Sequence, residues 1–244
     1  MKFFFHFGKY IFMLRSAIAR PESYYMYWKE IVRQMNNIGV GSLIILGIIS
    51  LFVCAVTAVQ FAYQLDGGFF PEYLLGFIIR DMMIIELAPT LSCLVLAGKV
   101  GSNIASELGT MRISEQIDAL EIMGINSAAY LVMPKVIAAL LIVPPLIVIS
   151  AFLGVYGGSL AAESYGVSPA NFEAGLIYRF NTFNVVIMQV KAIVFAFIIV
   201  SVACYQGFYV KGGALDIGRA STKAVVFGSI LVILFDYIIA MVMT

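Results

Sequence analysis

Three ionisable side chains, Glu86, Lys191 and Asp236, lie inside long, mainly apolar stretches of sequence, although the stretch around Glu86 also contains Arg80, Asp81 and Lys99. Within a membrane, an ionised side chain costs on the order of 2.5 to 3.5 kcal/mol by insertion scales, so we expect it to pair with another charge or to face a cavity. Lys191 and Asp236 lie at similar depths in the last two apolar stretches and are predicted to meet. A buried pair that satisfies itself has little left to offer a ligand, which favours a structural clamp between helices over substrate contact.

Residues that would support other chemistry are scarce. The chain has one histidine, His6, and its cysteines, Cys54, Cys93 and Cys204, are odd in number and form no C-x-x-C pair. We therefore predict neither a metal site nor a His-based catalytic group, and no cofactor. The segment 213–220 comes nearest to a phosphate-binding loop but lacks its Lys and the following Ser or Thr, so we expect no ATP hydrolysis by this chain. A net charge of +1 does not indicate nucleic-acid binding.

Composition assigns the class of protein that must position these charges. The 244 residues are 62% hydrophobic and 12% charged, with a mean hydropathy of +0.99, which is far outside the range of soluble domains. A helix needs about 20 residues to cross about 30 Å of hydrocarbon. Five apolar stretches approach or exceed that length, at about 41–63, 77–104, 130–161, 185–206 and 224–243. The sequence thus predicts an all-α integral membrane protein with five transmembrane helices.

Small residues recur at helical spacing in two of these spans. Every fourth residue from Ala97 to Gly109 is Ala or Gly, and Gly154 with Gly158 forms a GxxxG pair. Such patterns let helix backbones approach closely in a membrane. Both are predicted to be packing surfaces.

The first 35 residues are predicted to form an interfacial helical region. Apolar residues recur at helical spacing, with polar residues opposite, which suits an amphipathic helix lying in the cytoplasmic membrane interface. The apolar positions are Phe3, Phe7, Tyr10, Leu14 and Ile18, and the polar ones are Lys2, His6 and Lys9. The alternative is a cleaved signal peptide, suggested by Ala17 and Ala19, but Lys9 and Arg15 interrupt its apolar core.

The basic residues predict the orientation. Of 15 Lys and Arg residues, all but Arg80, Arg179 and Lys191 fall on or near one side of the membrane if the N-terminus is cytoplasmic. The positive-inside rule then places segments 107–130 and 207–223 in the cytoplasm and the C-terminus outside.

The polar segment 112–124 separates two long apolar stretches. Ile113, Ile117, Leu120 and Met123 form one helical stripe, with acidic residues along another. We expect a short helix parallel to the membrane, entered and left by sharp reversals near Gly109 and Gly124. Two interpretations remain open: a docking element for another protein and a solvated loop helix.

Several motifs together resemble one family, the MlaE/YrbE permeases of the MCE-associated ABC transporters, which includes chloroplast relatives. The resemblance covers nearly everything after about residue 30, so we treat residues 1–244 as a single permease domain with a core at 41–243. The motifs are Glu86-Leu-Ala-Pro89, Ala97 to Gly101, Glu107 to Arg112, Glu115 to Leu120, Met123-Gly124, Tyr130 to Lys135, Gly154 to Gly158, Lys191 to Phe195, Gly218 to Thr222 and Asp236.

The resemblance implies a permease subunit that moves phospholipid between the bacterial inner membrane and an MCE-domain protein outside. It implies a homodimer bound by two copies of a separate ABC ATPase, which binds the ATP, and in some systems a STAS-domain protein. Segment 112–124 would be the coupling helix. By this resemblance, the expected ATPase contacts are Arg112, Glu115, Asp118, Leu120 and Glu121.

The resemblance also implies a lipid-binding cavity at the dimer interface, open to the outer side. Its expected residues are Val59, Tyr63, Leu74, Ile78 and Glu86. Family members commonly carry Arg immediately before this Glu, whereas this chain has Ile85. Two explanations are open: Arg80 replaces that Arg, or the Glu86 carboxyl is protonated.

Two other functional classes were weighed against this interpretation. An ion-coupled secondary transporter would also use Glu86, Lys191 and Asp236, but such proteins normally show internal repeats, and none is visible here. A lipid-modifying enzyme needs a nucleophile, acid-base pair or metal cluster that this chain lacks. A bacterial inner membrane is favoured over a plastid, because no Arg- and Ser-rich transit segment precedes the first helix.

Overall fold

The computed structural model describes residues 2–18, 24–65 and 71–243, and within these ranges the chain consists of helices and short turns. Five helices are long and apolar enough to cross a membrane, as predicted: Tyr25–Gln64, Tyr73–Ile113, Ser127–Ser164, Thr182–Phe208 and Ala214–Met243. We number the elements α1 (Lys2–Ala17), α2 (Tyr24–Leu65), α3 (Tyr73–Ile113), α4 (Gln116–Ile122), α5 (Ser127–Leu131), α6 (Met133–Ser164), α7 (Pro169–Ile177), α8 (Thr182–Phe208) and α9 (Ala214–Met243).

The first span begins earlier than the sequence indicates. Helix α2 runs for 42 residues from Tyr24, so residues 24–35 of the predicted interfacial region belong to the same helix as the first span, and α1 is a separate helix. The apolar stretch at 41–63 marks only its hydrocarbon-like part. At 1.5 Å per residue, such a helix is about 60 Å long and extends well beyond one bilayer core.

Helix α3 departs from regular α-helix in two places. Met83–Leu91 and Ala97–Gly101 are π-helical, and Pro89 lies inside the first of these segments. Proline has no backbone N–H to donate, and its ring crowds the preceding turn, which a wider turn accommodates. Periodicity did not reveal this, because α3 is apolar on most of its surface.

The GxxxG pair packs α6 against α2 and α3, as predicted. A Cβ added at Gly158 would lie 3.1 Å from Sγ of Cys54, and one at Gly157 would lie 2.5 Å from the carbonyl oxygen of Leu51. A Cβ at Gly154 would collide with the Met83 side chain. These glycines therefore set the approach of the first three spans.

A buried serine cluster, which sequence reasoning missed, joins the same three helices. The hydroxyl of Ser150 on α6 contacts that of Ser50 on α2 and lies 2.8 Å from that of Ser92 on α3. Because these serine hydroxyls hydrogen-bond to one another between the spans, they do not face hydrocarbon as unsatisfied polar groups.

The small-residue ladder from Ala97 to Gly109 packs against α8 and α9, again as predicted. A Cβ at Gly207 would lie 2.7 Å from the Ala105 carbonyl oxygen, and one at Gly109 would lie 3.5 Å from Ile217. The expected reversal at Gly109 is wrong, however. Gly109 is inside α3, and the chain turns only at Glu115, whose φ is 57°.

Helix α1 lies against the end of α8 with a face that the sequence assigned differently. Met13 and Ala17 are buried, and the Tyr10 hydroxyl donates to Ser201 at 2.8 Å. Burial raises the pKa of the Tyr10 hydroxyl. Nδ1 of His6 lies 2.7 Å from the Tyr205 hydroxyl.

The side of α1 that faces away from the protein is apolar. It exposes Phe4, Phe7, Ile11, Phe12 and Ile18. His6 and Lys9, which were predicted on the polar face opposite the apolar stripe, contact Tyr205 and Tyr209 at the end of α8. Placement of the exposed aromatic face in the membrane interface remains a prediction.

Candidate functional site

The intramembrane charges form one cluster between three spans. Nζ of Lys191 on α8 lies 2.6 Å from Oδ1 of Asp236 on α9. It also lies 2.7 Å from Oε2 of Glu86 on α3 and donates a hydrogen bond to it. The predicted meeting of Lys191 and Asp236 is thus confirmed. Sequence depth alone did not reveal Glu86 as the second partner, since the π-helical turns of α3 alter which way its side chains point.

The two carboxylates differ in exposure. The side chains of Lys191 and Asp236 are 0% and 12% exposed, whereas that of Glu86 is 47% exposed. The Thr90 hydroxyl donates to Oε1 of Glu86 at 3.4 Å. The Lys191 ammonium therefore pairs with two carboxylates. The Asp236 carboxylate lies on the buried side of the cluster, and the Glu86 carboxylate lies at the surface of this chain.

Arg80 bonds to groups other than the Glu86 carboxylate. Its guanidinium donates to the carbonyl oxygens of Leu176 at 2.6 Å and Tyr178 at 2.9 Å, and it lies 2.9 Å from Oδ1 of Asp81. These bonds attach the chain around the end of α7 to α3. The Arg80 guanidinium is therefore engaged at the end of α7, and the cation that pairs with Glu86 is Lys191.

The other expected lipid-binding residues form two pairs on neighbouring helices. Val59 and Tyr63 lie one turn apart near the end of α2, and Leu74 and Ile78 lie one turn apart at the start of α3. Tyr63 is exposed and the others are half-buried. Only Glu86 belongs to the charge cluster, and the role of the other four in lipid binding remains a prediction.

The expected coupling segment is a shorter helix than predicted. Helix α4 spans Gln116–Ile122, while Arg112 lies in the last turn of α3, which ends at Ile113. Gly124, with φ of 79°, ends the turn as predicted.

The charged residues of this segment are mostly engaged within the chain. Nη1 of Arg112 donates to Oδ1 of Asp118 at 2.7 Å, and Oε1 of Glu121 accepts from the Ser127 hydroxyl at 2.7 Å. Glu115 is exposed. These bonds fasten α4 to the ends of α3 and α5.

The apolar residues that α4 offers to a partner differ from the predicted stripe. Ile117 is buried and Leu120 is half-buried against the core. In contrast, Ile122 is 87% exposed and Met123 is 65% exposed. Sequence reasoning missed Ile122, because the stripe counted from Ile113, which belongs to α3. The sequence did contain a signal for this exposed site, because two apolar residues, Ile122 and Met123, directly precede Gly124.

Helix α1 is attached to the base of this turn. Nδ2 of Asn126 donates to the Ser16 carbonyl oxygen at 3.0 Å, and the Ser16 hydroxyl donates to Oδ1 of Asn126 at 3.2 Å. The same Oδ1 accepts from the backbone N–H of Ala129 and so caps α5. Asn126, in the turn between α4 and α5, therefore joins α1 to the start of α5.

Comparisons with known proteins agree along most of the chain. A family model described as permease MlaE matches residues 31–242. A probable ABC transporter permease of Rickettsia bellii is 39% identical over 241 residues, covering 95% of this chain and 90% of the relative. A probable ABC transporter permease of Synechocystis is 33% identical over 216 residues, covering 88% and 82%. The intermembrane phospholipid transport system permease protein MlaE of Haemophilus influenzae is 28% identical over 243 residues, covering 99% and 93%.

Proposed function

The chain belongs to the MlaE permease family, and from that premise we propose that it is the membrane-spanning subunit of an ATP-driven phospholipid transporter. Phospholipid is the substrate named for the Haemophilus influenzae relative. A separate ATPase subunit supplies the ATP hydrolysis, since the chain carries no recognisable phosphate-binding loop.

The observation that carries this proposal is the exposed tip of α4. Ile122 and Met123 project from a short helix between two spans, where an apolar pair suits a groove on a partner protein. The base of α4 is fixed by the ion pair of Arg112 with Asp118 and by the hydrogen bond of Ser127 to Glu121. A push on the tip would therefore move α3 and α6 as rigid bodies rather than bend the turn.

The charge cluster supports a site for lipid on the outer half of the protein. Glu86 presents its carboxylate on a half-exposed face of α3, beside an ammonium that Asp236 keeps in place. The cationic group of a headgroup can therefore compete with Lys191 for the exposed Glu86 carboxylate. In the proposed homodimer, the two copies of this face would line one cavity, with Val59, Tyr63, Leu74 and Ile78 as its apolar walls.

The full assembly that we propose has two permease copies, two ATPase copies and an MCE-domain protein, with a STAS-domain protein in some systems. The permease lies in a bacterial inner membrane with its N-terminus cytoplasmic and its C-terminus periplasmic. The distribution of basic residues supports this orientation.

The test is a mild-detergent pull-down of the tagged chain from its native membrane, with mass spectrometry of the associated proteins and lipids. An ABC ATPase, an MCE-domain protein and retained phospholipid would support the proposal. The charge cluster is also what an ion-coupled transporter would need. Transport by the chain that follows an ion gradient, with no associated ATPase, would overturn the ABC assignment in favour of that alternative.

A further inference from the structure

A second polar cavity lies at the other end of α3, where that helix leads into α4. It has a volume of about 580 Å³ and lies between α2, α3 and α9. Lys99, which lines this cavity, is thirteen positions after Glu86 in the sequence. That spacing corresponds to roughly 20 Å along a helix. The two sites are therefore distinct. The lining residues that carry the argument are Gln34, Asn37, Lys99, Ser102, Asn103 and Ser221.

Among the residues that the structure describes, the lining has one cation and no carboxylate. Lys99 is exposed, and its ammonium group makes no ion pair or hydrogen bond with any residue that the structure describes. The carboxylates nearby in sequence are engaged elsewhere. Glu30 accepts from Nε2 of Gln34 at 2.7 Å and lies 3.6 Å from Arg33, while Glu107 lies 2.7 Å from Nζ of Lys135. An unpaired ammonium in a cavity of neutral polar groups selects an anion.

The donors are arranged around one space. Nζ of Lys99 lies 3.6 Å from the position that a Cβ on Gly41 would occupy, so the ammonium lies over the bare backbone of α2. The amides of Asn37 and Asn103 are exposed on the two facing helices and have no hydrogen-bond partner among the described residues. One ammonium and two amide groups match an anion with several oxygens, such as phosphate.

The surroundings favour a phosphate carried by a lipid. Along α2, Ile44 and Ile48 follow Asn37 and Gly41 on one face at helical spacing, and both isoleucines are exposed. Acyl chains would lie along this apolar stripe, with the headgroup at Lys99. A free phosphate ion has no acyl chains that could pack along this apolar stripe.

We infer that this cavity binds the phosphate of a phospholipid headgroup, with Lys99 as its cationic ligand and Asn37 and Asn103 as further donors. The inference rests on the proposed function in taking phospholipid as the phosphate carrier. It adds a lipid-binding site at the α4 end of the spans, separate from the Glu86 cluster.

The experiment is an equilibrium titration of the full chain, purified with its associated subunits in mild detergent. The probes are dioctanoyl phosphatidylglycerol, dioctanoylglycerol, which has the same acyl chains without phosphate, and sodium phosphate. We expect the phospholipid to bind more tightly than dioctanoylglycerol. Lys99→Gln should weaken phospholipid binding about tenfold, the loss expected for one charge-assisted hydrogen bond.

Three variants make the result specific. Lys99→Arg should retain binding, and Asn103→Asp should weaken it by adding a negative charge to the lining. Lys211→Gln removes the same charge from an exposed turn outside the cavity and should change nothing. Each variant is compared by size-exclusion profile and thermal unfolding, so that loss of fold is not mistaken for loss of binding.

Equal phospholipid affinities in Lys99→Gln and Lys211→Gln would overturn the inference. Lys99-dependent binding of sodium phosphate without any preference for phospholipid over dioctanoylglycerol would keep the anion site and overturn the lipid as its source. Because the readout is binding, it needs neither ATP nor transport. Failure of the proposed transport function would leave Lys99-dependent phospholipid binding in place, whereas failure of this inference would leave ATPase association in place.

Discussion

At the residue scale, Lys191 is fully buried between two carboxylates of unequal exposure, and that inequality separates their roles. Asp236 is closed off beside the ammonium, whereas Glu86 is half-exposed. A substrate can therefore reach Glu86 without breaking the ion pair between Lys191 on α8 and Asp236 on α9. The sequence-based assignment of Lys191 and Asp236 as a structural clamp agrees with this geometry.

We predict that Glu86→Gln lowers lipid transfer in reconstituted vesicles by roughly tenfold, since it removes one charge-assisted interaction from the exposed side of the cluster. The complex should still assemble, because Lys191 retains its ion pair with Asp236. Glu163→Gln, at the exposed end of α6, is the matched control. Unchanged transfer in Glu86→Gln would remove Glu86 from the lipid path.

Lys191→Met should lower the free energy of unfolding by about 3 to 5 kcal/mol, because it leaves buried Asp236 without its cation. Thermal unfolding in detergent measures this loss. Adding Asp236→Asn to Lys191→Met should restore part of the stability, as the uncompensated charge is then gone. If the double variant is no more stable than Lys191→Met, the cluster is not a clamp.

At the element scale, the number and type of the membrane-spanning helices were predictable, because apolar stretches of that length have few other solutions. What could not be predicted came from contacts between distant segments. The pairing of Glu86 with Lys191 depends on the π-helical turns around Pro89, and the burial of Ile117 depends on how α4 folds back on the spans. Helical spacing within 112–124 specified neither, since it assumed one continuous helix where the chain turns at Glu115.

The exposed tip of α4 gives a sharper test of partner docking than the residues that the sequence indicated. The double variant Ile122→Glu and Met123→Glu should release the ATPase in the pull-down while thermal unfolding is unchanged, because both side chains project away from the fold. Glu163→Gln, at the exposed end of α6 and outside the predicted ATPase contacts, should retain the ATPase. Full retention in the double variant would exclude this tip as the docking site.

Leu120→Asp should behave differently, because Leu120 is half-buried against the core. Asp118→Arg is also unsuitable as a docking test, since it would place two guanidinium groups where Arg112 now pairs with Asp118. We expect both variants to lower the unfolding temperature. An unchanged unfolding temperature together with loss of the ATPase would show that Leu120 contacts the ATPase directly.

Two glycines of α3 should respond in opposite ways to alanine. A Cβ at Gly76 would collide with the Phe172 carbonyl of α7, whereas one at Gly98 would meet nothing within 4 Å. Gly76→Ala should therefore destabilise the protein by about 1 to 3 kcal/mol, and Gly98→Ala should be neutral or stabilising by up to about 1 kcal/mol. Thermal unfolding of the two variants in the same detergent provides the comparison.

At the scale of the whole molecule, burial is distributed unevenly among the spans. Helix α8 is the most buried and α9 the least, although α9 carries Asp236. The outward side of α9 exposes Phe227, Ile230, Leu234 and Tyr237. In a membrane, such a face contacts either lipid or a second copy of the chain.

If α9 lies at the homodimer interface that we propose, Ile230→Cys should form an intermolecular disulfide on mild oxidation. The native cysteines, Cys54, Cys93 and Cys204, are buried, so the introduced thiol reacts without competition from exposed ones. Phe152→Cys, exposed on α6, is the comparison. Cross-linking at position 152 but not at 230 would place the interface on α6 instead.

The attachment of α1 to Asn126 has a mechanical consequence. In the proposed orientation, α1 rests in the membrane surface with Phe4, Phe7 and Phe12 exposed, while Ser16 is bonded to the base of the α4 turn. If the proposed ATPase acts on α4, the resulting movement of α4 would also move the exposed aromatic rings of α1 within one leaflet. The viscosity of that leaflet would then oppose each proposed transport cycle.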